Sequence, residues 1–398
     1  MDRPLLYLDV SRLVRRYEFF GGPTGIDRVD LAYGRWLTTQ TAFEPVAVTR
    51  GRRTLLALAP AAFGHLIATL DARWGTDAPP GFGREGRTLP QYVAQRCAAR
   101  LQRWTLLAGA RAPLSRGRPS VYLNVGHDGL DNPALHKNLA AAKVALIHDV
   151  IPLTHPEYDT ARATALHERR LNAIAAQFDH IITTSAAARD AMLNHLGGSA
   201  RFTTTVAHLA PALPQTAAPA PSDRPTFVHL STINRRKNLA LLLHLWREFA
   251  DHPRPPRLAI IGRRGNDQTA LELMDRCAAL RGNIIEHGTL SDAEAASALA
   301  GARGLLTPSF AEGFGLPIVE AYRFGVPVIA SDIPAHREVG GEAAIYVNPL
   351  DAVSWREQIL RLGADDGLWA KRRAAIKPPA TWDGHFRKVE PVLLSLAR

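Results

Sequence analysis

Residues 312–332 read EGFGLPIVEAYRFGVPVIASD, and the order of residue types predicts a helix between a loop and a strand. The glycines of EGFG break regular structure, and Pro317 is well placed as the first residue of a helix. The glycine of RFG ends that helix, and VPVIA then has the unbroken apolar character of a buried strand. Glu312 therefore lies in the loop, and Glu320 lies in or just past the first helical turn.

The same alternation of apolar runs and helical patterns continues on both sides of this stretch. It begins at residue 226 with TFVHLS and fills the N-terminal part, less clearly, with LLYLDV, PSVYLNVG, KVALIHDV and FDHIITTS. Continuous apolar strands between helices indicate parallel sheets that are covered on both faces. The proline- and alanine-rich stretch 211–225 predicts a linker. We therefore expect an α/β protein with two Rossmann-like domains whose parallel sheets face a central cleft, where such sheets bind ligands.

The composition is that of an ordinary globular protein, with 46% hydrophobic and 21% charged residues among 398. Two cysteines, Cys97 and Cys277, are too few for a disulfide framework and lack the spacing of a metal site, which fits a reducing compartment. The N-terminal sequence lacks the apolar core of a signal peptide, and no run of 18 apolar residues occurs. These features predict a cytoplasmic protein.

The formal net charge of +11 is concentrated in residues 50–118, which hold 12 arginines against three acidic residues. A basic surface suits nucleic acid, anionic lipid or phosphorylated substrates, and charge alone does not choose among them. Within this segment, one helical stripe is apolar and the next is basic. The helix either packs on its own domain or, together with the nearby arginines, holds the protein at an anionic membrane. The apolar stripe comprises Val93, Cys97, Leu101 and Trp104, and the basic residues are Arg50, Arg52, Arg53, Arg96, Arg100, Arg103, Arg111, Arg116 and Arg118.

Two segments of the C-terminal half combine into a predicted anion site. The loop around Gly313 and the helix start that follows it present free backbone N–H groups and the positive end of a helix dipole, which suit a diphosphate. The turn STINRRKN follows the strand TFVHL and therefore lies at the same edge of the sheet. Three adjacent cations are usually a solvated loop, but beside an anion-binding helix start they are typical of phosphate ligands. These cations are Arg235, Arg236 and Lys237.

The titratable residues near this site have two interpretations. Glu312 and Glu320 either accept hydrogen bonds from the hydroxyl groups of a ligand or only satisfy loop amides and pair with Arg323 or Arg337. In the N-terminal half, the strand KVALI ends at His148 and Asp149. A lone histidine is more often structural, but one at the C-terminal edge of a strand that faces a cleft is a candidate site residue.

Together these residues resemble the retaining, nucleotide-sugar-dependent glycosyltransferases of family 4, which have the GT-B fold. The resemblance covers most of the chain, with every block in order. The blocks are GGPTGIDR, HDVIPL with HPEY, RRKN, EHGTLSD, PSFAEGFGLPIVEA and GVPVIASDIPAHREVGGEAAIYVNP. The C-terminal TWDGHFRKVEPVLLSLAR resembles the terminal helix that crosses back to pack on the N-terminal domain.

The resemblance implies a role for each matching residue. Glu320 should bind the ribose hydroxyls, and Glu312 should lie near the hydroxyls of the donor sugar. Arg236 and Lys237 should hold the diphosphate and stabilise its departing charge, while His148 should face the donor sugar. We group Glu312, His148, Lys237 and Arg236 as catalytic. The other donor-binding candidates are Phe314, Gly315, Leu316, Ser231 and Gly25, and the acceptor-loop candidates are Gly21, Gly22, Thr24 and Asp149.

The resemblance also implies a domain plan and a reaction. It implies an acceptor domain at 1–212, a linker at 213–225, a nucleotide-sugar domain at 226–378 and a crossover helix at 379–398. A hexose or deoxyhexose, favoured as a GDP-mannose type donor, would pass to a glycan or lipid-linked acceptor of surface polysaccharide. No cofactor or nucleic-acid partner is expected, and the protein would be cytoplasmic or peripheral on the inner face of the membrane. No Asp-x-Asp occurs to hold a divalent cation, so we expect metal-independent chemistry.

Two departures from the family pattern and three other interpretations remain. Ser231 stands where the family usually has glycine, and Arg235 where it commonly has proline; neither change removes a charge. A Rossmann oxidoreductase is disfavoured because no G-x-G-x-x-G follows a strand. A sugar-nucleotide epimerase of the same overall fold, or a catalytically weak subunit that only binds nucleotide sugar, would use the same donor residues.

Overall fold

A computed structural model describes most of the chain. The described residues are 3–18, 23–51, 54–75, 97, 100–101, 103–111, 117–136, 139, 141–198, 200–217, 219 and 223–397.

The N-terminal domain is built on a sheet of seven strands among the described residues. Their order is β3-β2-β1-β4-β5-β6-β7, and every pair is parallel except β2 with β3. The order 3-2-1-4-5-6 is that of a Rossmann domain. The strands are β1 Leu5–Asp9, β2 Glu44–Arg50, β3 Leu55–Ala57, β4 Ser120–Asn124, β5 Ala142–Ile147, β6 His180–Thr183 and β7 Thr203–Val206.

The C-terminal domain repeats this topology with six strands over residues 226–347. Their order is β10-β9-β8-β11-β12-β13, and all pairs are parallel. Two sheets of the same Rossmann order confirm the predicted α/β architecture. The strands are β8 Thr226–Leu230, β9 Arg257–Ile261, β10 Ile284–Gly288, β11 Gly304–Thr307, β12 Val328–Ser331 and β13 Ile345–Val347.

Helices connect the strands and cover both sheets. In the N-terminal domain they are α1 Ser11–Glu18, α2 Gly25–Thr39, α3 Pro60–Gly75, α4 Ile151–Thr154, α5 Ala161–Gln177 and α6 Ala186–Leu196. In the C-terminal half they are α7 Leu239–Phe249, α8 Gln268–Arg276, α9 Asp292–Ala300, α10 Leu316–Arg323, α11 Pro334–Gly340, α12 Ala352–Ala364, α13 Asp366–Ala374 and α14 Trp382–Leu396. Short 3-10 turns occur at Pro133–Leu135, Pro156–Tyr158, Arg235–Lys237 and Ala278–Leu280.

Helix α14 returns to the N-terminal domain, as predicted. Phe386 stacks on Trp36 of α2 with ring centroids 4.7 Å apart, and Val389 and Leu393 are buried in the N-terminal core. The Tyr33 hydroxyl lies 2.8 Å from His385 Nε2, so the contact also satisfies buried polar groups. Burying these aromatic side chains joins the end of the chain to its beginning.

Candidate active site

The helix predicted from residues 312–332 is α10, and its start forms the centre of the site. Strand β11 ends at Thr307, and the loop that follows leads to Gly315, whose φ of +98° lies in the left-handed region that favours glycine. Pro317 lies in the first turn, where its missing N–H costs no hydrogen bond. Glu312 is in the loop and Glu320 is just past the first turn, at the predicted places.

The Glu312 carboxylate is largely buried, with its side chain 9% exposed, and it pairs with two cations. One oxygen lies 2.9 Å from an Arg236 guanidinium nitrogen, and the other accepts hydrogen bonds from Lys237 Nζ and, at 2.7 Å, from the Ser309 hydroxyl. The three charges meet because β8, which precedes Arg236, is the neighbour of β11, which precedes Glu312. Glu312 therefore pairs with the predicted phosphate ligands rather than with Arg337, which pairs with Asp332.

Each charged group of this cluster shifts the pKa of its partners. Burial alone would raise the pKa of Glu312, but Arg236 and Lys237 hold it far below the usual range. Burial lowers the pKa of Lys237, and Glu312 partly opposes that shift. We call Glu312, Arg236 and Lys237 the ion triad. With both cations protonated it carries one net positive charge in a buried place, which favours an anionic ligand.

Replacing Glu312 with glutamine should lower the free energy of unfolding at neutral pH by about 3–5 kcal/mol, because two buried cations lose their counter-charge. The pKa of Glu312 is lowered in the folded protein, so the carboxylate contributes stability above pH 4.5, its ordinary pKa, and that contribution falls as the pH decreases. Urea unfolding of the variant and wild type should therefore show a difference that narrows below pH 4.5. The exposed Glu342→Gln is the control, and equal stability of Glu312→Gln and wild type at neutral pH contradicts the ion triad.

Glu320 is buried and faces the chain that links the domains. Its two oxygens accept hydrogen bonds from the backbone N–H groups of Ala212 at 2.7 Å and Leu213 at 3.1 Å. Burial raises the pKa of Glu320, and these two bonds only partly offset the effect. In this structure the carboxylate thus accepts hydrogen bonds from backbone amides, which agrees with the structural interpretation of Glu320. Its ribose-binding role stays a prediction, because a ribose would have to replace or share these amides.

His148 lies at the end of β5, buried and facing the C-terminal domain. Its Nε2 lies 3.1 Å from the Val125 carbonyl oxygen, which places the proton on Nε2 and leaves Nδ1 as an acceptor. Burial lowers the pKa of His148 to about 4, so the ring is neutral at pH 7. Asp149 accepts a hydrogen bond from the Ile151 N–H at 3.1 Å, which holds the turn that follows the strand.

The loop of Glu312 packs directly on His148, which brings the two domains together at the site. A Cβ atom at Gly313 would overlap the His148 carbonyl oxygen and would come within 2.6 Å of the Asp149 Cβ. The Ser185 hydroxyl donates a hydrogen bond to the Gly313 carbonyl at 2.5 Å. The ion triad and the neutral His148 ring therefore flank one junction between the carboxyl ends of the two sheets.

The other predicted donor-binding residues lie around this junction, and two of their side chains are already engaged. The Phe314 side chain is buried in the N-terminal core beside His208, with ring centroids 5.7 Å apart, which leaves its backbone for a ligand. The Ser231 hydroxyl lies 2.8 Å from His229 Nε2. The start of α10 meets the N-terminal domain at Gly25, where a Cβ would be 3.6 Å from Leu316 Cδ2.

The acceptor-loop candidates are only partly within the described chain. Thr24 caps α2 in a capping box with Asp27, whose carboxylate accepts hydrogen bonds from the Thr24 N–H and hydroxyl at 2.7 Å. Thr24 thus caps α2 in this structure, and its role toward an acceptor stays a prediction. Gly21 and Gly22 lie outside the described residues, so the structure does not place them.

Three residues at the junction were not predicted from the sequence. Ser309 donates to Glu312, as described above. Glu338 accepts hydrogen bonds from the Ala186 and Ala187 N–H groups at 2.8 and 3.0 Å, at the start of α6 in the other domain. His336 is buried against the start of α10. The last two lie in the block GVPVIASDIPAHREVGGEAAIYVNP. The partners of Glu338 come from a distant part of the chain, and the ring of His336 borders Gly315 of another segment, so no local pattern indicates either role.

Comparison with known proteins shows which family and which fold this chain resembles. Residues 224–365 match the family described as Glycosyl transferases group 1. The O-antigen chain mannosyltransferase B of Escherichia coli is 29% identical over 236 residues, which cover 56% of this chain and 61% of that protein. The serotype-specific mannosyltransferase WbdA of Escherichia coli is 28% identical over 244 residues, covering 54% of this chain and 29% of WbdA. The matches thus span less than two thirds of either mannosyltransferase.

Among solved structures, Anabaena Alr3699/HepE in complex with UDP and glucose superposes with a TM-score of 0.63 at 16% identity, over 98% of this chain and 99% of that one. Agreement over both domains at such low identity is agreement of fold. It confirms the predicted two-domain architecture, and the family match confirms the predicted resemblance to glycosyltransferases. This chain therefore has the GT-B fold, and its residues 224–365 match the glycosyl transferases group 1 family.

Proposed function

We propose that this protein transfers a hexose or deoxyhexose from a nucleoside diphosphate sugar, favoured as GDP-mannose, to a glycan or lipid-linked acceptor in surface-polysaccharide assembly. The observation that carries the proposal is the largely buried ion triad before the start of α10, on the loop that packs against the backbone of His148. The mannosyltransferases to which the chain is similar, one of them an O-antigen chain enzyme, favour the mannose donor and the polysaccharide acceptor.

Each part of the junction has a defined chemical task in this reaction. Arg236 and Lys237, with the free N–H groups at the start of α10, hold the diphosphate and stabilise the charge that develops as it leaves. When the donor binds, Glu312 loses some of its contacts with Arg236 and Lys237 and accepts hydrogen bonds from sugar hydroxyls instead. His148 offers an unprotonated Nδ1 to a hydroxyl group. Attack on the same face as the leaving group, with the leaving phosphate taking the proton of the acceptor, completes the transfer.

A melting-temperature screen against UDP, GDP, dTDP and CMP, each with its common sugar conjugates, tests the proposal. A ligand that binds only the folded protein stabilises it by about 2.7 kcal/mol at a hundred times its Kd. GDP and GDP-mannose should give the largest rise in Tm. A screen in which no nucleotide or nucleotide sugar shifts Tm contradicts the proposed function.

The proposed reaction should retain the configuration at the anomeric carbon and should need no divalent cation. Retention follows from the proposed attack on the same face as the leaving group. No divalent cation should be needed because two largely buried cations and a helix start lie where we propose that the diphosphate leaves. Proton NMR of the first-formed product gives the stereochemistry, and treatment with EDTA tests the metal requirement. An inverted product, or activity that EDTA removes and Mg²⁺ or Mn²⁺ restores, contradicts this mechanism.

We further propose that the cytoplasmic protein contacts an anionic membrane through the segment around Leu101. Leu101 and Trp104 are 66% and 76% exposed, so these two members of the apolar stripe do not pack on their own domain. Arg100 is exposed beside it, whereas Arg103 pairs with Glu18 at 3.0 Å. Among the described residues, no helix is both long enough and apolar enough to cross a bilayer. The other predicted members Arg52, Arg53, Val93, Arg96 and Arg116 lie outside those residues.

Cosedimentation with vesicles that contain an anionic lipid should recover the protein in the pellet at low salt and less of it at high salt. Each basic residue near such a surface contributes about 1 kcal/mol, which salt screens. Trp104→Ala should weaken the binding, and vesicles of neutral lipid are the control. Protein that stays in the supernatant at low salt contradicts the membrane contact.

A further inference from the structure

One histidine near the ion triad has a buried ring nitrogen that makes no hydrogen bond within the described chain. His336, on α11, is fully buried, and its Nδ1 lies 3.1 Å from the Ser331 carbonyl oxygen. A carbonyl oxygen accepts but cannot donate, so this contact places the proton on Nδ1 and leaves Nε2 as a hydrogen-bond acceptor. Within the described chain, Nε2 has no partner. An unpaired buried acceptor is costly, and such atoms are uncommon in folded proteins.

The position of this ring places Nε2 at the start of α10. A Cβ atom at Gly315 would lie 3.2 Å from His336 Cδ2 and 3.8 Å from its Nε2. The absence of a side chain at Gly315 therefore keeps the space beside the ring open. The charged groups that act on the ring are those of the ion triad, Glu312, Lys237 and Arg236. His336 thus borders the place where we propose that the diphosphate and the sugar lie.

The protonation of the ring decides which ligand group it can bind. Burial lowers the pKa of His336 to about 4, an effect that Glu312 and the Ser331 carbonyl only partly oppose, so the ring is neutral at pH 7. A neutral Nε2 presents a lone pair, which repels the oxygens of an ionised phosphate and accepts a hydrogen bond from an O–H group. The phosphates have their cations at Arg236 and Lys237. A hydroxyl group is therefore the ligand group that suits His336.

The ligand carries hydroxyl groups on its sugar and on its ribose, and position distinguishes them. The predicted ribose ligand, Glu320, lies in the second turn of α10. His336 instead lies beside Gly315, the residue that precedes the helix, and the charge of Glu312 acts on its ring. We propose that His336 is a specificity-determining residue whose Nε2 accepts a hydrogen bond from a hydroxyl group of the donor sugar. This inference rests on the proposed function and adds to it a residue that distinguishes one donor sugar from another.

Calorimetric titration of two variants tests the inference. His336→Phe keeps a planar ring of similar size without an acceptor, and His336→Gln keeps a side-chain acceptor. The probes are GDP-mannose with GDP and, in parallel, UDP-glucose with UDP. For the pair that wild type binds, His336→Phe should weaken binding of the nucleotide sugar about tenfold and change binding of the bare nucleotide less than about twofold. His336→Gln should keep most of the wild-type affinity for both.

The possible outcomes separate this inference from the proposed function. If His336→Phe weakens the bare nucleotide as much as the nucleotide sugar, or changes neither, the residue does not read the sugar. If wild type binds neither pair and no nucleotide sugar of the melting-temperature screen shifts Tm, the proposed function itself fails and the inference falls with it.

A second measurement on the wild-type protein does not depend on how the variants fold. Histidine-labelled protein gives an ¹⁵N signal for the unprotonated His336 Nε2, assigned by its loss in His336→Gln. GDP-mannose or UDP-glucose should shift that signal as Nε2 accepts a hydrogen bond, and the matching bare nucleotide should leave it in place. An unchanged signal at saturation with the nucleotide sugar overturns the proposal.

Discussion

Replacing Lys237 with alanine should lower kcat/KM by about ten- to a hundred-fold or more while the protein remains folded. Lys237 is largely buried, with its side chain 13% exposed, and its ammonium group donates to Glu312 at the proposed phosphate site. The loss of one charge-assisted hydrogen bond to a ligand costs roughly 1.5–3 kcal/mol, and 1.36 kcal/mol corresponds to a factor of about ten in rate. The loss should fall mainly on kcat, because the charge on the diphosphate grows as it leaves.

Two matched variants show whether this effect belongs to the charge. Lys237→Arg keeps a cation at the site and should recover part of the activity, whereas Lys371→Ala removes an exposed lysine of α13 and should behave as wild type. Steady-state kinetics with the donor identified by the melting screen measure all three. Unchanged kcat/KM in Lys237→Ala removes this residue from the site.

Replacing Gly313 with alanine should have a larger effect, about a hundred-fold or more on kcat/KM. The new methyl group would overlap the His148 carbonyl oxygen, which belongs to the backbone and cannot rotate away. The loop must then move off the N-terminal domain, which also breaks the hydrogen bond from Ser185. A displacement of about 1 Å in a reacting group can cost a hundred-fold in rate, and here Glu312 moves relative to His148.

The control for this variant is Gly64→Ala. Gly64 is an exposed residue of α3, and a Cβ there would meet no atom within 4 Å. An alanine in a helix is more favourable than a glycine by roughly 0.5–1 kcal/mol, so Gly64→Ala should be slightly more stable and equally active. Wild-type kinetics in Gly313→Ala contradict the close packing at this junction.

The helix–strand order and the contact between the Glu312 loop and the Arg236 turn are predictable from the sequence for a physical reason. Buried parallel strands are continuous apolar runs, so β8, β11 and β12 stand out from their flanking loops. Carboxyl ends of neighbouring parallel strands meet at one sheet edge, which is why the sequence alone puts the loop of Glu312 near the turn of Arg236. The sequence pattern therefore predicts the strands, and the parallel order of the strands then brings the residues that follow them together.

Other features depend on contacts that no local pattern contains. Strand β2 was missed because its apolar run, Val46, Ala47 and Val48, is short and follows a glutamate and a proline. The bonds from Ala212 and Leu213 to Glu320 join residues more than a hundred positions apart. The free acceptor on His336 arises from burial of a ring whose neighbours come from α10 and β12. Such features follow from how the domains are packed.

The most direct test of the central claim is a crystal structure of the protein with bound GDP. The account predicts that the diphosphate oxygens lie within hydrogen-bond distance of Arg236 and Lys237 and of the backbone N–H groups at the start of α10. A diphosphate bound elsewhere on the protein, with Glu312 still holding both cations in a fully occupied complex, would contradict it.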